Sequence, residues 1–136
     1  MLLVDTNIIV PLYVRTAFSD AAKELRERDE VWRTEPFALV ELGNILATYE
    51  RARYLTKAAA RESLAHAESF LEPHYLPVAH GAALELAMRY QVTAYDARFL
   101  ALADQHGGRL VTEDAKLRAA APALTQSLQE ALAARI

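Results

Sequence analysis

Cysteine is absent from this 136-residue chain, which excludes a disulfide framework, a thiol nucleophile and a Cys-ligated zinc site, and suits a reducing cytoplasm. A basic excess is missing too: 15 Lys and Arg stand against 18 Asp and Glu, a formal charge of -3. Any nucleic-acid partner therefore has to be held by local basic patches or through a metal ion. No apolar run approaches the roughly 20 residues of a membrane span. Positions 2–10 are apolar, but Asp5 interrupts them, no basic residue precedes them and no clean small-residue cleavage site follows, so no secretion signal is expected. Also lacking are HExxH, GxSxG, a Walker loop and GxGxxG, and His66, His74, His80 and His106 share no metal-ligand spacing. The expectation is a soluble cytoplasmic protein folded as one domain over residues 1–136, a length that buries about two thirds of the unfolded surface.

What is present alternates between short apolar runs and longer helical patterns. Leu2 to Val4 reads as a strand buried on both faces, and a helix starts at Thr6 that Pro11 is expected to confine to its first turns. Residues 19–29 are rich in helix formers, and Val31 to Arg33 reads as a second strand. Pro36 opens a long helix to about Arg53, with Leu39, Leu42, Leu46 and Tyr49 on one face. Helices are expected over 57–71, 82–90 and 95–106, the last closed by Gly107-Gly108. His74 to Val78 reads as a third strand and Arg109 to Thr112 as a fourth; the tail from Asp114 is Ala/Leu-rich, broken at Pro122, with no obvious final strand. This order predicts an α/β fold, a mainly parallel sheet with helices on both faces. Ligands in such sheets bind beyond the carboxyl ends of the strands, where strand order reverses.

Two acids fall at such ends. Asp5 and Asp114 each follow a strand and precede a helix, so either is accounted for singly as an N-cap, and Thr112 as an ordinary turn residue. Thr93 to Asp96 likewise matches a capping box. Helical spacing adds more. Asp96 shares a row with Phe99, Leu100 and Ala103, and Glu41 sits between Phe37 and Ile45 at spacings of four, so both carboxylates interrupt apolar rows. A charge at a core boundary is costly unless it is paired, hydrogen-bonded or bound to metal. If the ends of strands one and four are neighbours, helices docking beside them bring Glu41 and Asp96 to the same crevice. Four converging carboxylates call for a hard divalent cation such as Mg²⁺ or Mn²⁺, whose waters are suited to attack on a phosphodiester.

VDTN at the start, Glu41 in ALVELGNIL, Asp96 in TAYDARFLALA and Asp114 in LVTEDAKL together resemble the PIN-domain ribonucleases, particularly the toxin subunits of VapBC toxin–antitoxin pairs. The resemblance covers nearly the whole chain. It implies that Asp5, Glu41, Asp96 and Asp114 form an acidic, metal-binding catalytic cluster, with Asn7 and Thr112 as polar supports. It further implies a parallel sheet of order 3-2-1-4-5, endonucleolytic RNA cleavage dependent on Mg²⁺ or Mn²⁺, a homodimer, and a small antitoxin that blocks the site. One departure is Ala38, where the family often carries Ser or Thr a turn before the helical acid.

Arg51, Arg53, Lys57 and Arg61 follow the Glu41 helix as candidate phosphate contacts, against a reading as ordinary surface charge. Leu25, Leu55 and Leu64 are either core or partner contacts, with core favoured. Rival functions are a solitary RNA-processing nuclease, a haloacid-dehalogenase-like phosphohydrolase, a receiver domain, and a binding module without catalysis. The phosphohydrolase pattern wants an acid where Asn7 stands, and a receiver wants an Asp after the third strand, where the chain reads PVAHG.

Overall fold

The computed structural model describes residues 1–134. In chain order the elements are β1 (Leu2–Val4), α1 (Thr6–Tyr13), α2 (Ser19–Arg28), β2 (Trp32–Arg33), α3 (Phe37–Arg51), α4 (Lys57–Leu71), a 3-10 turn (Glu72–His74), α5 (His80–Tyr90), α6 (Ala94–His106), β3 (Leu110–Val111), α7 (Ala115–Ala120), a second 3-10 turn (Pro122–Leu124), β4 (Thr125–Gln126) and α8 (Leu128–Ala133). The four strands form one sheet in the order β2-β1-β3-β4, every pair parallel, with Leu2 opposite Trp32, Val4 opposite Val111 and Val111 opposite Gln126. Parallel neighbours need long crossovers, and the helices supply them. α1 packs on α2 and α3, α3 on α4, and α5 on α6, which lies against β1 and β3.

The alternation expected from sequence is thus present, with local differences. The third strand, expected over His74 to Val78, shrinks to one parallel bridge between Thr34 and Tyr75, supported by the Leu76 N–H donating to Thr34 O at 3.0 Å. A 3-10 turn over Glu72–His74, with Pro73 in it, takes up the start of the expected strand. With Tyr75 counted as that strand, the order is 3-2-1-4-5. A final strand does form, over Thr125–Gln126. It is two residues long, too short to leave a periodic signature. α1 runs two residues past Pro11; Ile8, Ile9 and Val10 are buried on it, and that burial outweighs the lost hydrogen bond. α3 stops at Arg51 rather than near Arg53, which takes a left-handed conformation at φ 64°.

The helix ends explain much of the phasing. Asp5, Thr56, Thr93 and Ser127 cap α1, α4, α6 and α8 by accepting backbone N–H bonds, and Gly107 closes α6 at φ 66° as expected. The core gathers Leu2, Leu3, Val4, Leu110 and Val111 from the sheet with Leu25, Leu42, Phe99 and Leu100 from the helices. Leu25 therefore belongs to the core, and Leu55 and Leu64 pack partly buried against it. Trp32 is fully buried, donates its indole N–H to Asp29 O at 2.9 Å and meets the Phe70 ring at 5.6 Å. Trp32→Ala is expected to cost about 3–5 kcal/mol, measured by urea unfolding.

Candidate active site

β1 and β3 are the central strands, and their carboxyl ends lie side by side because β2 takes one flank of β1 and the chain returns to the other flank after α6. Asp5 leaves β1 there, its N–H donating to Val111 O at 3.0 Å. Asp5 is 6% exposed, and its carboxylate takes three hydrogen bonds. Oδ1 accepts the Thr6 N–H at 2.7 Å, while Oδ2 accepts from the Thr112 hydroxyl at 2.8 Å and from Asn7 Nδ2 at 3.3 Å. The cap reading of Asp5 is therefore correct as far as one oxygen goes.

Thr112 is fully buried and ties the two strand ends together. Besides donating to Asp5, its Oγ1 accepts from Asn7 Nδ2 and from the Asp114 N–H, both at 3.1 Å, which fills the capacity of a hydroxyl. Asn7 completes the tie, its Oδ1 accepting the Glu113 N–H at 3.0 Å. Asp114 caps α7 through Oδ1, which accepts from Lys116 N and Leu117 N at 3.0 and 3.1 Å.

The two helical acids arrive on separate helices, α3 and α6. Glu41, on the second turn of α3, is half-buried, and its Oε1 accepts the Thr6 hydroxyl at 2.6 Å. Thr6 so fills the supporting role that Ala38 has no atom for. Asp96 lies in the first turn of α6; its N–H donates to Thr93 Oγ1 at 3.1 Å while its carboxylate is directed into the same space as the others. Asp5, Glu41, Asp96 and Asp114 together line one cleft of about 190 Å³ with Thr6, Asn7 and Ile45. All four sequence-derived acids are thus brought together, from four separate segments.

Their charges act on one another. Burial pushes the Asp5 pKa up to about 6, with the Glu41 and Asp96 charges adding and the bonds from Thr112 and Thr6 opposing. Glu41 is raised by burial, against its Thr6 bond, and further by Asp96 and Glu35. Asp96 is raised by burial and then by Asp114. Among the described residues no Lys or Arg lines the cleft to relieve this. A divalent cation fits such a donor set, all oxygen and anionic, with space for waters beside it. Among the described residues no group of three or more His, Cys, Asp or Glu side chains forms a ready-made metal cage. The fit is to an ion that keeps several waters and takes one or two carboxylates directly, as Mg²⁺ does.

Sequence reasoning missed three residues here. Thr6 stood inside the quoted VDTN, and the hydroxyl beside the acid was the available signal. Glu35 is 6% exposed; its Oε1 receives Arg98 Nη2 at 2.8 Å and its Oε2 the Phe37 N–H at 2.8 Å. Arg98 also donates to Val78 O at 3.2 Å and meets His80 Nδ1 at 3.1 Å. This pair locks the start of α3 to α6, and with them the approach of Glu41 to Asp96. No spacing in the sequence marks two groups 63 residues apart as partners. Arg51, Arg53 and Lys57 lie outside the cleft lining; Arg51 is ten residues beyond Glu41, about 15 Å along a helix, and Lys57 pairs with Glu50. Of the histidines only His80 comes near this network, through Arg98.

Known proteins share this fold. Residues 2–122 match the PIN domain, and the chain belongs to the PIN-domain family. Ribonuclease VapC3 of Pyrobaculum aerophilum is 32% identical over 126 residues, spanning 90% of this chain and 96% of that protein. The crystal structure of PAE2754, also from Pyrobaculum aerophilum, is similar with a TM-score of 0.77 at 24% identity, covering 98% of this chain and 94% of that one; the likeness there is one of fold.

Because the folded-state pKa of Asp5 lies above its ordinary 3.8, the folded state holds the proton more tightly between about pH 4 and 6. Folding stability from this group is then greatest below pH 4 and falls as pH rises through 6. With divalent ions chelated, the unfolding midpoint of the wild type relative to Asp5→Asn is expected to drop across that window, measured by thermal denaturation at a series of pH values.

Proposed function

We propose that the whole chain acts as one PIN-like domain, an endoribonuclease of VapC type that hydrolyses RNA phosphodiester bonds with Mg²⁺ or Mn²⁺. The observation that carries this reading is the convergence of Asp5, Glu41, Asp96 and Asp114 on one cleft that no Lys or Arg among the described residues lines, in a chain of the PIN-domain family. All four carboxylates would offer oxygens to the ion and its waters. A bound ion would polarise the phosphodiester and lower the pKa of the attacking water.

The protein's own residues set the geometry for that chemistry. Thr112 and Asn7 hold Asp5 Oδ2 so that the carboxylate keeps one orientation, which spares reorganisation when charge develops. Thr6 occupies Oε1 of Glu41 and leaves Oε2 as the atom that would face the ion or one of its waters. Asp114 uses Oδ1 for its cap, which fixes the direction of Oδ2. The exposed Arg51, Arg53 and Lys57 are proposed to meet RNA phosphates further from the scissile bond.

The VapC-type reading brings two protein partners with it. A small antitoxin is proposed to restrain the nuclease, and a second copy of the chain to form a homodimer, for which exposed Leu84 and Met88, one turn apart on α5, offer apolar surface. A cytoplasmic site of action follows from the RNA substrate. No helix among the described residues is long and apolar enough to cross a membrane.

Cleavage of an RNA pool, followed on gels, is expected to stop in EDTA and to resume with Mg²⁺ or Mn²⁺. Asp5→Asn and Asp96→Asn should each lower kcat/KM by at least about 100-fold, and Thr112→Val by about 10- to 100-fold through the lost positioning of Asp5. Full activity in EDTA, or in either Asp variant, would overturn the reading.

A further inference from the structure

Among the described residues four carboxylates and no basic side chain line the cleft, so a polyanionic strand arriving there meets repulsion wherever ions do not offset it. Contacts without charge are what such a surface can add, and one stands beside the acids. Tyr95 directly precedes Asp96 on α6, and Phe37 lies one helical turn before Glu41 on α3. Their rings stack across the two helices, centroids 5.5 Å apart and planes 16° from parallel. Phe37 is half-buried and packed against the core, whereas Tyr95 is 64% exposed. One face of Tyr95 is therefore braced and the other is open to water. Val40, also 64% exposed, follows Phe37 by three residues on the same side of α3 and extends the apolar surface.

We propose that Tyr95, braced by Phe37, is the platform on which a nucleobase of the RNA substrate stacks at the rim of the acidic cleft. The proposal rests on the ribonuclease reading and deepens it. A ring held in place before binding loses little freedom when a base settles on it, and stacking accepts any base because each has a π-face. A base inside a duplex has both faces taken, so the platform receives an unpaired nucleotide. The two rings bridge the same helices that carry Glu41 and Asp96, so a base seated there holds its own phosphate beside the carboxylates. Tyr95 thus acts as a binding residue for the strand and takes no part in proton transfer.

The test uses the full chain and a fluorescein-labelled random single-stranded RNA of about 12 nucleotides, with Ca²⁺ in place of Mg²⁺ and binding read by anisotropy. Tyr95→Ala is expected to raise Kd about tenfold and Tyr95→Phe to stay within about twofold of wild type. An unchanged Kd in Tyr95→Ala, or an equal loss in Tyr95→Phe, overturns the platform. Tyr95→Leu, which keeps the bulk and lacks the ring, should repeat the loss and serves if the Ala variant does not fold. With Mg²⁺ present, KM should rise about tenfold in Tyr95→Ala while kcat holds within about twofold. A wild type that binds through Tyr95 and cuts nothing refutes the nuclease reading and leaves the platform standing; one that cuts with the same KM in both proteins does the reverse.

Discussion

The Asp5 carboxylate is held almost out of reach of water by the Thr112 hydroxyl, the Asn7 amide and the Thr6 backbone N–H, and most of the site's arrangement exists to make that burial tolerable. A buried carboxylate with such partners keeps one orientation, and the same partners connect it to the rest of the fold. Thr112 brings the end of β3 to the end of β1, Asn7 ties the residue after Thr112, and Thr6 passes the connection to Glu41 on α3. The hydrogen bonds do not cancel the cost: burial and the neighbouring charges still raise the Asp5 pKa to about 6. That residual cost is the electrostatic opening for a cation.

A second tie works at a distance from the acids. Glu35 and Arg98 satisfy each other in a nearly buried pair, and each also holds backbone, Glu35 at Phe37 N and Arg98 at Val78 O. Removing either member would leave a charge with no counterion in a poorly hydrated place. The pair clamps the helix starts that deliver Glu41 and Asp96, so the spacing of the helical acids is set by residues that do not line the cleft.

Legibility from sequence followed the physics of each element. Strands β1 and β3 were readable because they are apolar, and the acids Glu41 and Asp96 because they broke apolar rows at helical spacing. β4 was not readable, since Thr125 and Gln126 carry no alternation and earn their strand geometry only from pairing with Leu110 and Val111. The shrinking of the third strand followed from the 3-10 turn over Glu72–His74; Pro73 was visible in the sequence, but the turn it takes part in was not. Thr6 and Arg98 were hidden for different reasons. The role of Thr6 needed the position of a helix 35 residues away, and Arg98 reads as an ordinary surface charge until Glu35 is seen beside it.

The single bridge between Thr34 and Tyr75 has a bearing on how the protein behaves when crowded. An open parallel edge invites another polypeptide to add itself as a further strand, which is a route to fibrils. Here the outermost position is one residue long, and prolines on either side of it withhold the donors that an incoming chain would need. That side of the sheet is thereby a poor template for propagation.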